Sequence, residues 1–304
     1  LVVARLVRDV RPDREAFAIA LVGVNPVVLF QSAASGHNDL LVALAVASAI
    51  ALVFSGRDRW ATVALALGAL VKVTAAVPLL LLWVAVAARA PRGRRVRTVA
   101  PHVGIAAAMA LLAAGPFLSS EDPTLGMAEL ATHEGWLAPS RFFRRVVDAI
   151  SGDALGWVPR VVIPILLVGA LALIVRAIVR RAPSVSSALV GASWGWGLLC
   201  LMLLGPVLLP WYVTWALPLG WLLPRVPRTV LVGTGVALTL SQWTAEPARF
   251  DAAYDANLLF GHYVVTPVVI GLLGWLLLDL WRRSRSDAPL EDRPDEVPAQ
   301  AGQR

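Results

Sequence analysis

Long apolar runs separated by short arginine-bearing loops fill the chain from Ala16 to Trp281. The first run, Ala16–Ala34, is interrupted by Asn25-Pro26. Proline frees a backbone carbonyl that lipid cannot satisfy, so this kink is expected to face protein or a polar cavity. A polar tip follows, Gly36-His37-Asn38-Asp39, and a second run goes from Leu40 to Phe54 and stops at Gly56-Arg57-Asp58-Arg59. Further runs cover Val99–Leu118, Val161–Val179, Ser186–Leu209, a short return to Leu223, Val230–Thr244 and His262–Trp281. Several approach or exceed the ~18 residues of a membrane span. The pattern predicts an all-α, polytopic integral membrane helix bundle over 1–284 and a disordered polar tail over 285–304.

Trp60–Ala88 has two readings. As one tilted helix it would be ~29 residues and ~44 Å long. As a hairpin turning at Lys72-Val73-Thr74 it becomes two helices of ~18–24 Å, neither able to cross a ~30 Å hydrocarbon core. Charge decides. Downstream of the hairpin, 15 arginines fall in segments on one side and five on the other. Positive residues favour the cytoplasm. The hairpin keeps the 15 inside, and the single helix would reverse the totals. The hairpin reading puts the Gly36–Asp39 tip, Lys72, the loop Ser119–Arg160 and the acidic loop Glu246–Phe260 outside. Arg5–Glu15 is then an inner loop and the tail is cytoplasmic.

Composition agrees. Of 304 residues, 58% are hydrophobic and only 15% charged, where soluble domains carry about 25% charged residues. The net charge of +7 comes from loop arginines, a topology signal rather than a nucleic-acid footprint. Cys200 is the single cysteine, so no internal disulfide forms. Leu1–Val10 reads as the end of a membrane helix running into a basic loop, which gives the expectation of a fragment whose first spans lie upstream. No His/Cys/carboxylate set has metal spacing.

Two features carry candidate chemistry. Asp39, at the mouth of two spans, is a candidate catalytic carboxylate, with positioning of an acceptor or a phosphate favoured over the role of sole base, and His37 and Asn38 beside it are candidates for binding substrate; the bland alternative is a helix cap. Lys72 is the only lysine in the chain and sits at the tip of the half-length hairpin. It is a candidate for holding a lipid phosphate, against the alternative of a snorkelling helix-end lysine. His133 and Glu134 are candidates for an acceptor site or simply loop polarity. Trp211 and Tyr212, with Trp136, fall where either sugar stacking or an interfacial aromatic belt would put them. His262 opens the last span on the outer side. Arg141, Arg144 and Arg145 with apolar neighbours predict an amphipathic helix on the outer surface, and Gly191 and Gly195 predict close helix packing.

Taken in order, Asn25-Pro26, Gly36-His37-Asn38-Asp39, Leu70-Val71-Lys72 with Pro78, Trp136-Leu137-Ala138-Pro139-Ser140 and Pro210-Trp211-Tyr212…Pro218 resemble the actinobacterial polyprenyl-phosphate-mannose-dependent α-mannosyltransferases of the GT-C superfamily, relatives of the enzymes that extend the α-1,6-mannan core of lipomannan. The resemblance runs from Ala16 to Trp281. It implies a cell-membrane hexosyltransferase, acting at the extracytoplasmic face without a cofactor. A mannosyl group would pass, with inversion, from a polyprenyl-phosphate donor to a glycan or glycolipid acceptor. It also implies a catalytic aspartate in the first external loop, expected upstream of Leu1. Ala138-Pro139-Ser140 departs from the family's Ser-Pro-Thr. The rival readings are a secondary transporter, disfavoured by the lack of a second pair of broken helices and by ionisable residues crowding one face, and a non-catalytic membrane scaffold.

Overall fold

The computed structural model describes residues 1–117, 135, 137–152, 154–241, 251–286 and 288–292. Every regular element among them is helical. Four helices are long and apolar enough to cross a membrane: Arg92–Phe117, Val158–Arg180, Ser187–Leu204 and Ala252–Ser286. A fifth crossing results if Pro12–Gly23 and Val27–Ala34 are one span bent by 43°. The chain is a polytopic helical membrane protein.

In chain order the helices are α1 (Val2–Val10), α2 (Glu15–Gly23), α3 (Asp39–Phe54), α4 (Asp58–Val71), α5 (Ala76–Arg89) and α6 (Arg95–Ala114). They continue with α7 (Pro139–Ser151), α8 (Val158–Arg180), α9 (Ser187–Leu204), α10 (Arg225–Leu240), α11 (Asp251–Phe260) and α12 (Thr266–Ser286). The segment expected as a loop, Arg5–Glu15, is therefore largely α1, with Leu6 and Val7 buried. The amphipathic helix expected around Arg141–Arg145 is α7.

The hairpin is present. The Arg89 guanidinium, at the end of α5, lies 3.0 Å from the carboxylate of Asp58 at the start of α4. One continuous helix would hold those ends ~45 Å apart. The break falls at Lys72, which is extended (φ −156°, ψ 126°) between α4 and a 3-10 turn, Val73–Ala75. Thr62 Oγ1 and His102 Nδ1, 2.7 Å apart in the interior, tie α4 to α6.

α9 is the centre of the bundle: 83% of its apolar window is buried, against 6% for the helix through α6. Lipid gives helices no hydrophobic reason to associate, so close packing of small residues must hold them. A Cβ on Gly191 would lie 2.8 Å from Ile50 of α3, and one on Gly195 would lie 2.9 Å from Leu223. The expected glycine packing is there.

Two crossings are irregular. Between α2 and the π-helical Val27–Ala34, the Asn25 side chain accepts from the Val27 N–H at 2.9 Å. The kink faces a cavity against α10 lined by Val232, Gly235 and Thr239, as expected for a broken span. The return from Pro210 is made by 3-10 turns, Pro210–Trp215 and Leu217–Leu219. Residues 213–224 are buried without exception, which is what irregular backbone at membrane depth requires. This second broken crossing packs on the first, through contacts of Val27–Ala34 with Pro210–Trp215.

Two further expectations are corrected. Residues 251–260 are helical, not loop, and continue through the π turn Gly261–Val265 into α12, where the Thr266 hydroxyl donates to the Gly261 carbonyl at 3.0 Å. Ala288–Asp292, expected as disordered tail, packs onto the bundle. Leu290 is buried, its carbonyl accepts from the Trp196 indole at 3.1 Å, and Asp292 pairs with Arg14 and Arg228.

Candidate functional site

A turn follows the π-helical segment at Gly36, whose φ of +68° favours a residue without a Cβ. That turn brings His37, Asn38 and Asp39 to one end of the bundle, with only Asp39 fully buried. Asn38 is the N-cap of α3 but makes no side-chain cap bond. Asp39 is the first helical residue, and its carboxylate is used elsewhere, so the capping explanation for this motif falls away.

Asp39 is 1% exposed, and its Oδ1 accepts from Lys72 Nζ at 2.8 Å and from the Trp215 indole at 2.5 Å. Asp39 Oδ2 is buried with no hydrogen-bond partner among the described residues, a costly condition for an acceptor unless a ligand or water relieves it. The Lys72 ammonium lies 4.2 Å from the Tyr212 ring centre and 5.1 Å from that of Trp215. Those two rings stack at 4.3 Å. Cation–π contacts of this kind contribute about 2 kcal/mol where water is excluded. At the rim, His37 stacks on Trp211 at 3.7 Å and 17°. Tyr212 lies in the 3-10 segment Pro210–Trp215, with its ring between Lys72 and Trp215.

The structure thus gathers His37, Asp39, Lys72, Trp211 and Tyr212, five of the residues singled out in the sequence, from three separate segments. Asn38 is exposed at the edge. His133, Glu134 and Trp136 lie outside the described residues. His262 belongs to another neighbourhood: its Nε2 is 2.8 Å from Arg145 on α7, with Phe142 nearby, and no described contact joins it to the Asp39–Lys72 pair. Trp215 was missed. Its signal was a third aromatic in the Pro210–Trp215 segment, three positions after Tyr212, where a 3-10 turn returns to the same face.

On the hairpin side, Lys72 also lines a groove of about 680 Å³ between α4, α5 and α6. Its other lining residues, among them Leu70, Leu79, Trp83, Val103 and Ala110, are apolar or aromatic. An apolar groove therefore ends at an ammonium, which in turn touches a buried carboxylate under an aromatic wall. Among the described residues, no group of three or more His, Cys, Asp or Glu side chains is placed to hold a metal ion.

These features define a helical membrane protein with a polar site at one end of its bundle, where an apolar groove meets an ammonium, a buried carboxylate and aromatic rings. Residues 1–89 match the family described as "Alpha-(1->6)-mannopyranosyltransferase, N-terminal domain", the MptA_B family. The match bears out the resemblance to α-mannosyltransferases and supports glycosyltransferase activity. It ends at Arg89, where the hairpin closes on Asp58, and so contains His37, Asp39 and Lys72 but none of the aromatic wall. No curated protein and no solved structure matches the chain.

Proposed function

We propose that this chain is a cell-membrane mannosyltransferase of GT-C type that takes its sugar from a polyprenyl-phosphate donor and works at the extracytoplasmic face. The observation that carries the reading is Lys72, which joins an apolar groove to a carboxylate and an aromatic wall. The groove suits an isoprenoid chain. An ammonium has three N–H donors; one is on Asp39, which leaves others for a phosphate. Trp211, Tyr212 and His37 offer faces for a sugar, and Asn38 sits at the same rim. In the reaction the acceptor hydroxyl oxygen bonds to the anomeric carbon as the bond from that carbon to the phosphate oxygen breaks. The electron pair leaves with the phosphate, which Lys72 stabilises. The hydroxyl proton passes to a carboxylate or water, and the unpartnered Asp39 Oδ2 is a buried acceptor that positions this hydroxyl. The acceptor is a glycan or glycolipid, and the lipid-linked sugar is itself the substrate.

The arginine asymmetry supports an outward site and a cytoplasmic tail. The test is transfer of labelled mannose from polyprenyl-phosphate mannose by proteoliposomes holding the protein, with an envelope lipid extract as acceptor. No transfer by any orientation of the protein would sink the reading.

A secondary transporter is the second reading, favoured by the contact between the broken crossings at Asn25-Pro26 and Pro210–Leu219. Its ionisable pair should then lie at mid-depth, whereas Asp39 and Lys72 are at helix ends. Counterflow of labelled sugar in the same proteoliposomes, without transfer, would favour it.

A further inference from the structure

A second groove, of about 630 Å³, opens between α7, α8 and α9. One wall is Pro159, Ile163, Pro164 and Leu167 of α8; the other is Leu201 and Leu204 of α9, with Gly205 and Pro206 beyond it. Its size falls in the range of about 300–1,000 Å³ that ligand sites occupy. Beside it α8 turns Val162, Ile165 and Val168 outward, exposed as a lipid-facing surface should be. The groove therefore opens toward acyl chains.

Its polar groups sit at one end. Ser140, in the first turn of α7, is 6% exposed; it lines the groove and its Oγ has no hydrogen-bond partner among the described residues. Arg160, in the first turn of α8, lines the groove and is exposed, and no hydrogen bond or ion pair holds it among the described residues. An arginine near a helix N-terminus has no dipole reason to be there, since cations favour C-termini. A buried hydroxyl without a partner is likewise unfavourable unless something fills the site.

We infer that this groove binds an anionic phospholipid: an acyl chain between α8 and α9, the phosphodiester on the Arg160 guanidinium, and the Ser140 hydroxyl donating to a headgroup or ester oxygen. Guanidinium and phosphate pair in a two-pronged geometry that an ammonium cannot reproduce. The aliphatic walls take the chain, and the membrane supplies the ligand. The site is separate from Lys72, whose groove is formed by α4, α5 and α6, and it does not depend on the transferase reading.

The test is photolabelling of the full chain in nanodiscs with phosphatidylglycerol carrying a diazirine at mid-chain, followed by peptide mapping. Phosphatidylcholine with the same chain is the control. Labelling should concentrate on the groove-lining residues Pro159, Ile163, Leu167, Leu201 and Leu204 and prefer phosphatidylglycerol. It should fall about tenfold in Arg160→Gln, the loss of one charge-assisted contact, and less in Ser140→Ala. Inorganic phosphate should not compete. Lys72→Ala should leave the labelling unchanged, which separates this site from the proposed donor groove. Equal labelling by both lipids, label spread over Ile165 and Val168, or no effect of Arg160→Gln would overturn the inference, as would competition by inorganic phosphate.

Discussion

Lys72 and Asp39 are separated by 33 positions, yet their charged groups meet at 2.8 Å. The contact is possible because α4 stops short at the hairpin turn and α3 begins at the Gly36 turn, so two helix ends converge. Asp39 is buried and Lys72 is three-quarters buried at its side chain. Desolvation offsets much of the Coulomb gain, so the pair is poor evidence of stabilisation by itself. Breaking it is another matter, because either partner would be left as an uncompensated buried charge.

That asymmetry gives the first prediction. Lys72→Met and Asp39→Asn should each destabilise the protein by about 3–5 kcal/mol, while the double variant should recover a substantial part of that loss. Thermal unfolding of the four proteins in detergent measures the cycle. Additive losses would mean that the two groups do not interact in the folded state.

Function separates the two residues where stability does not. If Lys72 receives the donor phosphate, Lys72→Arg keeps the charge but changes the donor geometry, and the KM for polyprenyl-phosphate mannose should rise with the fold intact. Asp39→Asn should act mainly on kcat. Donor kinetics in Lys72→Arg identical to wild type would remove the phosphate role.

The stack of His37 on Trp211 supports a further prediction. Aromatic pairs contribute about 0.5–1.5 kcal/mol beyond area burial, so Trp211→Ala should cost that order in stability, with Trp211→Phe closer to neutral. A sugar-stacking Trp211 would add a separate effect: apparent affinity for donor or acceptor should drop about tenfold in Trp211→Ala, a difference of about 1.4 kcal/mol. A stability change with unaltered affinities would make Trp211 structural only.

Orientation is checked directly. Asn38 and Arg94 are both exposed and lie at opposite ends of the bundle's first half. Asn38→Cys in intact cells should react with a membrane-impermeant thiol reagent, and Arg94→Cys should react only after permeabilisation; Cys200, fully buried, provides a silent background. The reverse pattern would turn the site to the cytoplasm.

The sequence disclosed more of the site than of the fold around it. A lone lysine in apolar sequence and three polar residues between two spans stand out because a bilayer makes such groups expensive. Arginine counting resolved the hairpin, which the contact of Arg89 with Asp58 bears out. What stayed hidden depended on tertiary packing. The 3-10 crossing at Pro210–Leu219 has the composition of a short span, and only its burial against α3 and α9 lets the backbone leave the α-helical form. Trp215 looked like one more interfacial aromatic until the fold set its indole against Asp39. Helical 251–260 carries Asp251 and Asp255, and such charges read as a loop when length and polarity are weighed without the helix that follows.

The docked segment Ala288–Asp292 allows two contributions to be ranked. Asp292 touches Arg14 and Arg228 at 3.0 and 3.2 Å, with all three side chains between 18% and 28% exposed. Ion pairs open to solvent are each worth about 1 kcal/mol or less and weaken with salt. Leu290 is 2% exposed, and burying a leucine contributes about 1.5–3 kcal/mol. Leu290→Ala should therefore lower thermal stability more than Asp292→Ala, and only the Asp292 effect should shrink between low and high salt. Melting curves of both variants at two ionic strengths decide it. If Asp292→Ala proves the larger loss, the ion pairs rather than the leucine hold this segment on the bundle.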